Sequence, residues 1–576
     1  MIFQGISAFA GREIGTVLRI NNALKVDADE KSHHGLNQEL DTWNNTVAAV
    51  LNDMEAERKQ FLKEKQETKA DIVDIQITLL KDRVFQDKVR FFLDHGYSAP
   101  ASITRAVTWE KNSLLKVKNN YLRERTKDIE DMGNRLVSWL AGYRNVKLPG
   151  VGGGTIIVTE DIFPSLLMEI KQGSINGIIL QQGSATSHAV ILAGSMGIPT
   201  LIQCKAAKDL KDGDVVYLNA TSGYVEGPLS PERKDSMHAQ LVFYHRRETD
   251  LSNSRMLPAE TADKQRIRIM ANITDVAAGE KSLQMGADGV GLFRTEFFFM
   301  NRSDLPSEQE QFECYCDVAG KLNGKPLTIR TIDIGADKRI DSLKLEKEQN
   351  PFLGYRAIRI CADHEELFLT QLRACLRASA FGKICIMFPM ISSLQELHMA
   401  KQAVQKAKRQ LQMAGQAYDE NIKVGMMVEI PSAALMAERF AEEVDFFSIG
   451  SNDLTQYTLA VDRLNSKISY LYDPLNPAVL KLIAKTIHAA LKTKIVCSLC
   501  GEMAADPLAI PLLLGFGLRY FSMNMEKIPL TKKLISLLNV DRMEPLSNEC
   551  LKAEDSDEIR KKLKTFLGDG YWEWIS

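Results

Sequence analysis

From Gln265 to the last residue, apolar strand-like runs recur with amphipathic helical stretches between them: IRIMANI, GVGLFRTE, LTIRTIDI, ICIMFPMI, VGMMVEI, VDFFSIGSND and IVCSLCGEM. A strand with one wet face alternates apolar and polar residues. These runs are nearly continuous, so both of their faces are buried. Strands buried on both faces and joined by helices form a parallel sheet covered by those helices. Seven or eight such units in the stretch 265–576 fit a (β/α)8 barrel, a fold that typically takes ~250 residues.

The ends of these runs are polar. Arg294 follows GVGLF, Arg330 ends PLTI, Glu429 ends VGMMV, Asn452 and Asp453 follow FFSIGS, and Cys500 follows IVCSL. In a β/α barrel the C-terminal strand ends converge on one mouth, so residues far apart in the chain are expected to face one pocket. Arg356 and Arg463 are further candidates for it. Arginines supply fixed, permanently charged donors for phosphate or carboxylate. Two carboxylates, Glu429 and Asp453, suit Mg²⁺, which takes one or two from the protein and fills its shell with substrate oxygens and water. The inventory describes a small, highly anionic substrate. The competing reading is that these charges pair with one another and stabilise the barrel. Cys497 and Cys500 form a lone C-x-x-C with no second pair or matching histidine. They read as two unrelated thiols, of which Cys500, nearer the mouth, could donate a proton.

The rest of the chain has a different texture. The total of 576 residues is enough for three or four units. After a β-like start from Met1 to about Ile20, the stretch from Gly35 to Lys147 is rich in Glu, Lys, Leu and Gln with helical apolar spacing, and reads as several packed helices. PGVGGG (Pro149–Gly154) is a turn cluster. It lacks the Lys-Ser/Thr and the strand-loop-helix frame of a phosphate loop, and reads as a connector. From Thr155 to about Gly227 short strands alternate with brief helices. The helical stretch therefore looks inserted into a small α/β unit, since the opening strand would otherwise have no sheet. Residues 231–264 read as a helical linker. The formal net charge of −2 gives no sign of a nucleic-acid partner. No secretory signal or membrane span is expected, and nine cysteines without a framework pattern read as reduced thiols in a cytoplasm.

His188 lies in NGIILQQGSATSHAVILAGSMGIPTLI. Thr186 and Ser187 are good N-cap residues, so a helix is expected from His188 to about Met196, ended by Gly197 and Pro199. The positive end of that helix disfavours imidazolium and keeps a nucleophilic nitrogen, and free amides there would stabilise an added phosphate. Thr186 is placed to hydrogen-bond the ring or the phosphate. A bland capping histidine has the same local features. The other histidines have no comparable context.

Taken together, these motifs resemble enzyme I of the bacterial phosphoenolpyruvate:sugar phosphotransferase system over essentially the whole chain. The matching text is GLFRTEF, RTIDIGADK, NPFLGYRAIRI, RASAFGKICIMFPMI, VDFFSIGSNDLTQYTLAVDR and LCGEMA in the barrel, YLRERTKDIEDMGNRL in the helical stretch, and GSATSHAVILA around the histidine. The resemblance implies an α/β multidomain chain. Residues 1–22 and 148–230 would form a small phosphohistidine domain and 23–147 an inserted helical subdomain for docking a histidine-containing phosphocarrier protein. The linker at 231–264 would lead to a barrel at 265–576 that binds phosphoenolpyruvate and joins a homodimer. By position, His188 would carry the phosphoryl group. Arg294, Arg330, Arg356 and Arg463, with Asn452, would bind phosphoenolpyruvate. Glu429 and Asp453 would hold Mg²⁺, and Cys500 would protonate the enolate to pyruvate.

The chain also departs from the family pattern. Ser184 and Ala185 stand where Gly and a polar residue precede Thr-Ser-His, Gln181 where an acid is usual, and Gly194 where an Arg commonly follows. Ala336 replaces a Gly, and Gln76 a His that faces the partner. The barrel chemistry is hardly touched, whereas the histidine segment and docking face are altered. Three alternatives stand beside this reading. A phosphoenolpyruvate synthase or dikinase would need an ATP-binding domain for which there is no room. A nitrogen-regulatory relative would carry an added sensory domain ahead of the segment that starts here at Met1. A non-catalytic regulator would bind phosphoenolpyruvate without being phosphorylated.

Overall fold

The computed structural model describes the chain except residues 21–25, 65–66, 116–119, 142–152, 170–173, 186, 301, 303, 336–342, 344–345, 347 and 576. The side chains of residues 67, 68, 115, 120–125, 165, 168, 169 and 188 are likewise outside the described set. The chain forms two compact units, Met1–Arg246 and Arg247–Ser576. The long helix Pro231–Ser254 runs across the division.

In the first unit, strands β1 (Ile2–Gln4), β2 (Ile6–Phe9), β3 (Arg12–Arg19), β4 (Thr155–Thr159), β5 (Ile175–Leu180), β6 (Thr200–Ile202), β7 (Val215–Asn219) and β8 (Tyr224–Glu226) make one sheet. Their order is β1-β8-β7-β3-β4-β5-β6-β2. The opening strand does find its sheet: β3 runs parallel to β4 and antiparallel to β7. Side chains alternate across it, Ile157 and Ile178 into one core and Ile156, Val158 and Ile179 into another, which explains why all of TIIVT is buried.

Five helices lie between β3 and β4 in the chain: Leu36–Lys63, Glu67–Lys81, Arg83–Asp94, Ala99–Leu115 and Asn120–Leu140. Arg83–Asp94 shows the logic of the group. Phe85, Val89 and Leu93 recur every four residues on its buried face, and Asp82 caps its start by accepting from Val84 N at 2.7 Å. Gln76 corrects one expectation. It is 1% exposed and donates to Asp131 Oδ2 at 2.7 Å, so the position where a partner-facing histidine was looked for belongs to the interior. That bond satisfies the Gln76 Nε2 and ties its helix to Asp131, while Gln76 Oε1 is buried without a hydrogen-bond partner. Of the glycine cluster only Gly153 and Gly154 are described, and they lead straight into β4.

The second unit is the expected barrel. Strands β10 (Arg266–Ile273), β11 (Val290–Arg294), β12 (Leu327–Arg330), β13 (Ile384–Phe388), β14 (Lys423–Val428), β15 (Phe446–Ile449), β16 (Val496–Leu499) and β17 (Tyr520–Asn524) pair in parallel, and β17 closes on β10. A two-residue β9 (Ala259–Glu260) adds antiparallel to the start of β10. Alternation sorts the side chains. Phe293, Ile329, Ile386, Phe388, Met426, Val428 and Leu499 face the helices, whereas Leu292, Met387, Met427 and Cys500 form a separate cluster inside.

Candidate functional site

The same parity places the chemistry. Arg294 is two residues beyond inward Leu292, and Glu429 two beyond inward Met427. Arg330 follows outward Ile329. All three therefore emerge on the inner side at the C-terminal strand ends. Cys500 joins them, whereas Cys497, three residues earlier, is packed with the outer core. Their opposite faces separate the two thiols. Among the described residues no group of three or more His, Cys, Asp and Glu is placed to hold a metal ion.

The arginines are held by carboxylates. Arg330, 5% exposed, donates to Glu296 Oε1 at 2.6 Å and lies 3.1 Å from Asp333 Oδ2. Arg356 forks onto Asp333 at 2.9 and 3.0 Å, donates to the Tyr457 hydroxyl at 3.1 Å, and stands 3.7 Å from Asp453 Oδ1. Tyr457 in turn donates to the Phe352 carbonyl, and burial pushes its hydroxyl up to about 12. Arg463 donates through its backbone to Gln456 Oε1, and its Nη1 is buried without a hydrogen-bond partner. Among the described residues Arg294 makes no side-chain hydrogen bond or ion pair. Asn452 Oδ1 accepts from Glu502 N at 2.9 Å, which fixes the amide so that Nδ2 is the atom presented.

Charges thus do pair within the barrel, but chiefly through Glu296 and Asp333, which the strand-end reading did not single out. The signal was present: Glu296 sits in GLFRTEF and Asp333 in RTIDIG, each within three residues of an arginine that was named. The two carboxylates that were named behave differently. Glu429 Oε1 accepts from Met390 N at 2.7 Å, but Glu429 Oε2 and Asp453 Oδ1 are buried with no hydrogen-bond partner. Burial, then Asp453 and Asp333, hold the Glu429 carboxyl well above the usual carboxylate range, against the pull of Arg330 and Arg356. Gly450 leaves the space beside it, since a Cβ there would stand 2.9 Å from Glu429 Oε2. Two orphaned acidic oxygens in a buried, oxygen-rich mouth fit a hard divalent cation. Four arginines and the four acids Glu296, Asp333, Glu429 and Asp453 cancel in formal charge, so a cation would also restore the positive excess an anionic substrate needs.

Cys500 is 3% exposed, and Asn272 holds its carbonyl at 2.9 Å. Burial pushes its thiol up, more than Ser448, Arg330 and Arg294 pull it back. It therefore stays protonated at neutral pH, as a proton donor must.

In the other unit, His188 opens the helix His188–Ser195, as its context predicts. Ser187 is the N-cap, accepting from Val190 N at 3.4 Å. The His188 ring and Thr186 lie outside the described residues, as does Ala336. Gly194 has a local reason: a Cβ there would be 3.0 Å from the Phe9 ring, so the strand β2 occupies the space a larger residue would need.

The fold and this mouth define a barrel enzyme for a small anion, preceded by a unit carrying a histidine at a helix start. Comparison with known proteins narrows the class. Residues 248–540 match the PEP-binding domain of PEP-utilising enzymes, 151–223 their mobile domain and 4–125 their N-terminal domain. A phosphoenolpyruvate-protein phosphotransferase of Priestia megaterium is 37% identical over 98% of each chain. One of Haemophilus influenzae is 37% identical over 98% of this chain and 99% of its own, and one of Bacillus subtilis 37% over 96% and 98%. The chain belongs to the phosphoenolpyruvate-protein phosphotransferase family. Among the described residues no helix is long and apolar enough to cross a membrane.

Proposed function

We propose that this chain takes the phosphoryl group of phosphoenolpyruvate onto His188, releases pyruvate, and passes the group to a histidine-containing phosphocarrier protein, opening a cytoplasmic sugar-uptake relay. At the barrel mouth Arg294, Arg330, Arg356 and Arg463 bind the phosphate and carboxylate, and Asn452 assists. Glu429 and Asp453 would hold Mg²⁺, which when bound neutralises charge on the transferring group. The His188 ring nitrogen bonds to phosphorus as the bridging P–O bond breaks, and that bond's electron pair leaves on the enolate oxygen. The Cys500 thiol then protonates the enolate carbon, giving pyruvate. Thr186 supports the ring or the phosphate. The helices of residues 23–147 dock the carrier, the barrels join two copies, and the 231–264 segment lets His188 serve both sites.

The observation that carries this reading is the pair of orphaned acidic oxygens, on Glu429 and Asp453, beside two buried arginines already oriented by Glu296 and Asp333. Donors fixed in advance around a buried anion site are what phosphoryl transfer requires of a protein. The test is incubation with Mg²⁺ and phosphoenolpyruvate labelled in the phosphate. Acid-labile, base-stable label on the native chain and none on His188→Ala supports the reading. Bound ligand without label on either refutes it.

A further inference from the structure

Gln371 lies on the helix Glu365–Ser379, outside the barrel, and is 1% exposed. Its amide sits between the ends of β11 and β12. Oε1 accepts from Ile332 N at 2.8 Å, and Nε2 donates to Thr295 Oγ1 at 3.1 Å and to the Tyr315 hydroxyl at 3.2 Å. Thr295 Oγ1 donates onward to the Arg330 carbonyl at 2.8 Å, and Tyr315 to Gln311 Oε1 at 3.2 Å. Thr295, Tyr315 and Gln311 are fully buried.

Every direction in this chain of bonds is forced. The Ile332 N–H can only donate, so the amide oxygen must face it and the NH₂ must face the two hydroxyls. The Arg330 carbonyl can only accept, so the Thr295 proton is committed to it. One amide thereby ties together two strand ends at the level of the site. Thr295 directly follows Arg294, and the anchored carbonyl is that of Arg330 itself. Arg294 and Arg330 are register partners, yet the β11–β12 register is irregular between Val290 and Phe293. The ladder pairs the two arginines only at its last two positions, beyond that irregularity, and the Gln371–Thr295–Arg330 link braces that short end. Glu296, next after Thr295, holds the Arg330 guanidinium.

We infer that Gln371 is a positioning residue: acting through Thr295 and the Arg330 backbone, it sets Arg294 and Arg330 at the separation that receives phosphoenolpyruvate. This rests on the reading of the mouth given above. Gln371 touches no substrate group. Its effect is on ground-state binding, so its loss moves KM more than kcat.

The test uses the full chain with Mg²⁺ and phosphoenolpyruvate. Gln371→Met removes the amide at nearly constant volume, and Thr295→Val breaks the same link from the other side. Each raises KM about tenfold or more with kcat changed less than about threefold. Because both cut one link, the double variant is no worse than the worse single, and Thr295→Ser restores the native KM. Ser547→Ala removes a buried hydroxyl bonded to the Leu512 carbonyl far along the chain, and serves as the comparison: lower melting temperature, native KM. If Gln371→Met fails to fold, Thr295→Val and its serine rescue decide alone. A native KM with a lowered melting temperature in these variants would reduce Gln371 to a satisfied core amide and overturn the inference. Additive effects would do the same. A native chain that neither binds nor turns over phosphoenolpyruvate would refute the functional reading itself, and the inference with it.

Discussion

Gly450→Ala adds one methyl group at the most informative place in the mouth. Gly450 has φ −85° and ψ 74°, which alanine tolerates, so the backbone carries little of the cost. The new Cβ would stand 2.8 Å from Glu429 Cβ and 2.9 Å from Glu429 Oε2, where ordinary contact begins at 3.4 Å. The carboxylate must therefore withdraw by about 0.5 Å, the difference between 3.4 and 2.9 Å. Magnesium binds oxygen at ~2.0–2.1 Å in near-ideal octahedral geometry, so that shift is about a quarter of a bond length. Disturbing the support of a metal ligand typically weakens metal affinity roughly 10- to 100-fold. The expected outcome is a rise of that size in the Mg²⁺ concentration giving half-maximal pyruvate release, with kcat recovered at saturating metal. Overpacking of this kind costs about 1–3 kcal/mol of stability, so a melting curve should show a folded protein. A folded variant whose Mg²⁺ half-saturation stays within about twofold of the native value would remove Glu429 from the metal site.

Arg356→Lys keeps the charge but not the fork on Asp333. An ammonium can hold one of those contacts, and Arg330 keeps Asp333 paired, so the net loss is about 2–3 kcal/mol. At ~1.36 kcal/mol per decade that is a fall in kcat/KM of roughly 30- to 150-fold, read in a coupled pyruvate assay; a loss under about threefold would mean the fork is not used. Cys500→Ala should lower kcat by a factor of roughly 100 or more, as removal of a general acid does. The acid must be protonated to act and burial raises its pKa, so the native rate should be lost only as pH climbs above the ordinary thiol range. A basic limb near neutrality that disappears in Cys500→Ala would contradict this.

The barrel was legible because burial on both faces of every strand leaves a strong mark in the sequence, and because strand-end residues need no tertiary information to be assigned to the mouth. One strand, β17 at Tyr520–Asn524, was not among the runs first picked out. It is short and reads YFSMN, where Ser522 and Asn524 interrupt the apolar run, and its place is fixed by closure onto β10 rather than by its own pattern. Glu296, Asp333 and Tyr457 do not stand out as site residues in the sequence, although all three lie inside the motifs GLFRTEF, RTIDIGADK and VDFFSIGSNDLTQYTLAVDR. Sequence shows which groups could bind a substrate, but not which groups hold those in place. Gln371 is the extreme case, since a buried neutral amide on an outer helix has no local signature at all. The helices proposed to dock the carrier were least legible. Whether Gln76 faces a partner or the interior depends on how two helices pack around Asp131, and helical periodicity alone places a residue only to within about half a turn.

The barrel mouth is proposed to bind phosphoenolpyruvate and magnesium in its own right, separately from the histidine it serves. Calorimetric titration of the full-length His188→Ala protein with phosphoenolpyruvate, in Mg²⁺ and again in excess chelator, tests it most directly. Native affinity in Mg²⁺ and a marked loss with chelator are expected. Loss of binding in Mg²⁺ from the histidine substitution alone, or binding indifferent to chelator, would contradict it.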